Sequence, residues 1–148
     1  AALERCYVHE RIAQNFIDAV VAETKRLQQS GDKQGDLGPM SSEQQLRIVE
    51  RHVYEATAHG AVALTGGERR SDATGLFFPP TVLTNVNHEM AVMREETFGP
   101  VLPIMTFKTD DEAVRLANDS VYGLTASVWT NDLARGNESQ NRLTPARS

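Results

Sequence analysis

The feature that most restricts this chain is the interleaving of two patterns: helical apolar spacing over two long stretches, and short contiguous apolar runs around them. Ile12, Ala13, Phe16, Ile17, Val20 and Leu27 recur at mostly helical steps within 10–29 and predict one helix face. Ser30-Gly31 is read as its end, because glycine readily takes the left-handed conformation at a helix terminus. The polar, glycine-containing stretch 32–38 is then a loop. A second helix is predicted from about Ser42 to His59, with Leu46, Val49, Val53 and Ala56 on its buried face. Ser42 and Gln45 have capping-box spacing, and Gly60 closes the helix. Strands are predicted over 5–8, over 61–65 as a buried strand turned by Gly66-Gly67, over 101–107 and over 124–129. Pro79-Pro80, within the apolar stretch 76–86, argue for a loop entering an edge or a strand start, not a central strand. A helical turn is predicted over 89–93. Thr109 and Glu112 cap a helix to about Asn118, with Ala113, Leu116 and Ala117 facing inward. Strand, helix, helix, strand, strand, strand, helix, strand is the order of an α/β domain.

Several function classes are disfavoured on composition. The formal net charge of -5, with no basic stripe, argues against a nucleic-acid partner. No apolar run approaches the ~18 residues of a membrane span. The single cysteine, Cys6, allows neither an intrachain disulfide nor a multi-cysteine metal site, and fits a reducing, cytoplasmic compartment. His9, His52, His59 and His88 are scattered without zinc-ligand spacing, so no metal is predicted; His52 and His59 are read as solvent-facing. There is no Gly-x-Ser-x-Gly and no glycine-rich dinucleotide turn. Tyr54 and Trp129 are isolated, which gives no platform for stacking bases. The opening residues have no initiator Met and no signal-peptide pattern, and the chain reads as starting within a longer sequence. From Asn137 onward the apolar face is lost, so residues 1–136 are assigned to the domain and 137–148 to a divergent or disordered tail.

One string carries more information than the periodicities. Met93-Arg94-Glu95-Glu96-Thr97-Phe98-Gly99-Pro100-Val101 resembles the Glu-x-Phe-Gly-Pro signature of the aldehyde dehydrogenase family. Phe78-Pro79-Pro80-Thr81-Val82-Leu83 before it, Asn118 to Thr130 with its Tyr122-Gly123-Leu124, and Gly38-Pro39-Met40 ahead of a helix are similar to family segments in order and spacing. The likeness runs from Ala1 to about Gly136. It implies part of an aldehyde dehydrogenase catalytic domain, with a parallel-type sheet flanked by helices. It also implies NAD or NADP as cofactor, a small-molecule aldehyde as substrate, and a homo-oligomer for the parent enzyme. The resemblance gives Glu96 the nicotinamide ribose, a role that suits a carboxylate because its oxygens can accept from both hydroxyls of a diol. Phe98 becomes a wall against the ribose and ring, Gln45 a cofactor-facing side chain on its helix, and Glu95 a structural residue.

The family's reaction runs by attack of a cysteine thiolate on the aldehyde, hydride transfer to the dinucleotide, and hydrolysis of the thioester by a glutamate-activated water. Glu4-Arg5-Cys6-Tyr7-Val8 resembles the string that follows the nucleophile, which puts Cys6 at a variable strand position and the nucleophile one residue before Ala1. Cys6 is therefore read as a small buried apolar residue. No catalytic residue is expected in this chain, and the isolated chain is expected to be inactive. The alternatives are a non-catalytic interaction module built on the same scaffold, and a related acyl or semialdehyde dehydrogenase that differs only in substrate.

Overall fold

The computed structural model describes residues 3–32, 34–69 and 75–144, which form a four-stranded sheet with helices on both faces. In chain order the elements are β1 (Cys6–His9), α1 (Glu10–Thr24), α2 (Glu43–Ala58), β2 (Val62–Thr65), β3 (Thr81–Thr84), α3 (Ala91–Arg94), β4 (Val101–Phe107), α4 (Asp110–Asn118) and α5 (Leu133–Asn141). The strand order is β1-β4-β3-β2. β1 and β3 both run parallel to β4, and only β2 is antiparallel to its neighbour, as the α/β reading requires.

Alternation along the strands sorts the core into two layers. Val82 and Ile104 point to the α1 side, where they join Val8 and Ala13 with Ile17, Val20 and Val21 packed against them. Leu83 and Val101 point the other way, into a larger cluster with Leu46, Val49, Val53 and Ala56 of α2 and Val92 and Met93 of α3. The predicted face of α2 is buried as read. Gly60, at φ +98, closes that helix, and the Ala61 N–H donates to the Ala56 carbonyl at 2.9 Å.

Four local expectations are corrected. α1 ends at Thr24, because the backbone beyond it turns away to bond the 36–37 segment: the Asp36 and Leu37 amides donate to the Gln28 carbonyl. β2 is not buried but an edge strand with Val62 and Leu64 exposed. β3 starts straight after Pro80 as expected, yet lies inside the sheet, since the prolines precede its hydrogen-bonded residues. Residues 124–129 form no strand, and Leu124 and Trp129 are 90% and 92% exposed. α5 covers residues on both sides of position 137 and has no buried residue.

Candidate functional site

The Glu95–Pro100 loop joins α3 to β4, and one residue in it is fixed by all its polar groups. Thr97 is buried. Its N–H donates to Glu4 Oε2 at 2.8 Å, its carbonyl accepts from Gln45 Nε2 at 2.6 Å, and its hydroxyl lies 3.0 Å from His52 Nδ1. The next amide, Phe98 N–H, donates to the other oxygen of Glu4 at 3.2 Å. Past it the chain is pressed onto α2: a Cβ on Gly99 would overlap the Val49 side chain. The Pro100 carbonyl then accepts from Thr81 N–H at 2.8 Å, which seats the loop at the start of β3 and β4.

With Thr97 held inward, the residues on either side of it turn outward. Glu96 is exposed, and none of the hydrogen bonds or ion pairs among the described residues involves it. Phe98 is 52% exposed and sits at φ +42, a conformation uncommon for a bulky side chain. An exposed carboxylate with no partner among the described residues, two positions from an exposed aromatic ring, is suited to accept from a polyol that carries a flat apolar ring. Glu95 behaves differently: its carboxylate accepts from Arg51 at 3.2 Å and lies 3.2 Å from His52 Nε2, tying the loop to α2. An open groove of about 420 Å³ runs along α2, lined by Glu43, Gln44, Arg47, Ile48 and Arg51, the last of which pairs with Glu95.

Gln45 sits behind the loop, with its amide on the Thr97 carbonyl. The capping box is accordingly half formed: Ser42 Oγ accepts from Gln45 N–H at 3.1 Å, but the Gln45 side chain is engaged elsewhere. The solvent-facing reading of His52 is overturned, as its side chain is fully buried. The signal was present, since His52 stands three residues after Val49 and four before Ala56, on the face already assigned to the core. His59, in contrast, is exposed. The contact between Glu4 and Thr97 carried no sequence signal, because it spans 93 positions.

Cys6 lies on edge strand β1, paired with Ile104 and packed against the α1-side cluster. Burial pushes its thiol up from the ordinary value, the opposite of what a nucleophile needs. A second polar group lies nearby in the fold: Tyr7 Oη is 2.9 Å from His88 Nε2, and His88 Nδ1 is 2.8 Å from Asp119, whose carboxyl is held below the usual range by that contact. It ties β1 to the turn before α3 and to the end of α4. Among the described residues no cluster of three His, Cys, Asp or Glu side chains could hold a metal ion, and no helix is long and apolar enough to cross a membrane.

The model of the aldehyde dehydrogenase family matches residues 1–146. The chain is 45% identical over 146 residues to a putative NADP(+) succinate-semialdehyde dehydrogenase of Mycobacterium bovis, covering 96% of this chain and 28% of that protein. It is 43% identical to the peroxisomal aminoaldehyde dehydrogenase 1 of Pisum sativum, over 91% of this chain and 27% of the relative. Among solved structures, betaine aldehyde dehydrogenase of Staphylococcus aureus in complex with NAD+ superposes with a TM-score of 0.89 at 35% identity, over 96% of this chain and 29% of that one. The chain thus spans less than a third of the length of these relatives. With the family model matched over nearly its whole length and the fold shared, the chain belongs to the aldehyde dehydrogenase family.

Proposed function

We propose that this chain supplies the nicotinamide-ribose contact of an NAD(P)-dependent enzyme that oxidises an aldehyde to a carboxylic acid. The observation that carries the reading is the exposed carboxylate of Glu96, without a partner among the described residues, on a loop pinned from behind through Thr97. Glu96 accepts from the ribose hydroxyls, and Phe98 limits where the ring can lie. Gln45 acts on the cofactor through the loop, by fixing the Thr97 carbonyl. The dinucleotide, when bound, supplies the hydride acceptor; the residues of this chain orient it and keep water from one side of it. The nucleophilic cysteine, the general base and the oxyanion donors belong to sequence outside this chain, and Cys6 takes no part. The relatives' names support a choice among aldehydes of the succinate-semialdehyde, amino-aldehyde and betaine-aldehyde kinds, and either dinucleotide.

The test uses the polypeptide at the length of its relatives. Glu96→Gln is expected to weaken dinucleotide binding about tenfold or more, the scale of hydrogen bonds to a charged group. ADP, which lacks the nicotinamide ribose, should bind as before. Dinucleotide binding that does not change removes Glu96 from the site. The 148-residue chain alone should give no reduced dinucleotide with a simple aldehyde. Steady turnover by that chain, abolished by Cys6→Ala, overturns the placement of the nucleophile.

A further inference from the structure

We propose that Glu4 is a positioning residue for the cofactor, setting the direction in which Glu96 and Phe98 face. The inference rests on the reading of Glu96 and Phe98 as cofactor contacts.

Glu4 uses both carboxylate oxygens on two successive amides, Thr97 at 2.8 Å and Phe98 at 3.2 Å. Successive N–H groups that converge on one point form an anion-binding concavity, and here the chain fills it with its own carboxylate. That arrangement accounts for the backbone. Only Asn85 and Phe98 among the described non-glycine residues have positive φ. Asparagine tolerates this region, whereas a bulky aromatic residue enters it only when something holds it there.

Gln45 and His52 hold Thr97 by its carbonyl and hydroxyl, and their hydrogen bonds stop there. Glu4 is the contact that fixes the Phe98 amide, and so the turn between the two exposed side chains. The sheet explains how a residue so distant in sequence reaches the loop. β1 and β4 are parallel, with Cys6 opposite Ile104, so the segments leading into the two strands emerge at one end of the sheet. Glu4 leads into β1 and the Glu95–Pro100 loop leads into β4. The Phe98 amide lies at the surface, so water can replace Glu4 there. Losing the carboxylate therefore costs the loop its setting more than it costs the fold.

The experiment compares Glu4→Gln with the unaltered enzyme at its relatives' length. Glutamine offers one acceptor oxygen and turns an NH2 toward the second amide, so one of the two bonds is lost. The dissociation constant of the nicotinamide dinucleotide should rise about tenfold, equivalent to about 1.4 kcal/mol, while that of ADP changes by less than about twofold. Equal weakening of both ligands shows a general loss of structure and overturns the proposal. No change with Glu4→Gln, when Glu96→Gln does weaken the dinucleotide, overturns the role of Glu4 and leaves that of Glu96 standing. If neither variant matters, the reading of Glu96 falls and takes this one with it. Should Glu4→Gln not fold, amide exchange in the unaltered protein decides: the Thr97 and Phe98 amides should exchange about a hundredfold or more slower than in free chain. Free-chain rates at both overturn the clamp.

Discussion

At Gly99 the loop lies so close to α2 that no side chain fits without movement. A Cβ there would overlap Val49, which is fully buried among Leu46, Val53 and Met93. Pro100 follows and favours extended backbone at Gly99, so the loop cannot easily swing out to relieve the contact. Gly99→Ala should therefore cost about 1–3 kcal/mol by overpacking, measured by denaturant unfolding of the enzyme. Val49→Ala removes the methyl groups that collide, so the double variant should be more stable than the two single costs summed. Strict additivity of the two would show that Gly99 is chosen for something other than this approach. At the same scale, Glu96 and Phe98 were legible because they stand in a short contiguous motif. Glu4, Thr97 and His52 were not read as one site, since the contacts that unite them cross 45 to 93 positions and depend on the parallel pairing of β1 with β4.

Among the elements, α5 is held by charge where the others are held by packing. It has no buried residue. Arg135 grips both oxygens of Asp110 at the start of α4, Arg142 reaches Asp111 at 2.7 Å, and Asn118 Nδ2 donates to the Arg142 carbonyl at 2.9 Å. The hydrogen bond from Arg135 holds the Asp110 carboxyl below its ordinary range. A carboxylate whose pKa is depressed by folding stabilises the native arrangement above its unfolded value, and that contribution is lost as pH falls through the depressed one. Acidification below the usual carboxylate range should thus lower the protection of the 133–141 amides, relative to the intrinsic exchange rate at each pH, before it affects α2 or β4. Arg135→Gln should do the same at neutral pH. Equal protection of α5 in both conditions would show that the ion pairs do not hold it. No apolar periodicity could reveal such a helix. Periodicity did reveal α2 and β4, whose faces are buried against this chain's own residues, whereas α4 formed as read but buries Val114 with Leu116 and leaves Ala113 and Ala117 half-buried. It misread β2 and 124–129, because an apolar run states that a segment is to be covered and not which chain covers it.

For the molecule as a whole, the surface and the span point the same way. The sheet is open at both edges, β1 and β2. Ile12 on α1, Val62 on β2, and Leu124, Trp129 and Leu133 beyond α4 are all exposed, large apolar side chains of the kind that a further covering surface would bury. The curated relatives carry more than three times this length of chain, of which the match covers 27–28%. Trp129 is the single tryptophan, so indole fluorescence reports on that surface alone. Its 92% exposure should give the isolated chain, when dilute, the red-shifted emission of a solvated indole with ready quenching by iodide. Rising concentration should bring self-association in size-exclusion chromatography, because burial of each apolar side chain stabilises contact by roughly 1.5–3 kcal/mol. In a single-tryptophan version of the polypeptide at its relatives' length, with Trp129 kept, emission should move to the blue and iodide quenching should fall. Identical spectra and quenching in the short and long chains, with the short chain monomeric at every concentration, would mean that 124–129 is a solvated surface in its own right, and the strand signal there would have no physical basis.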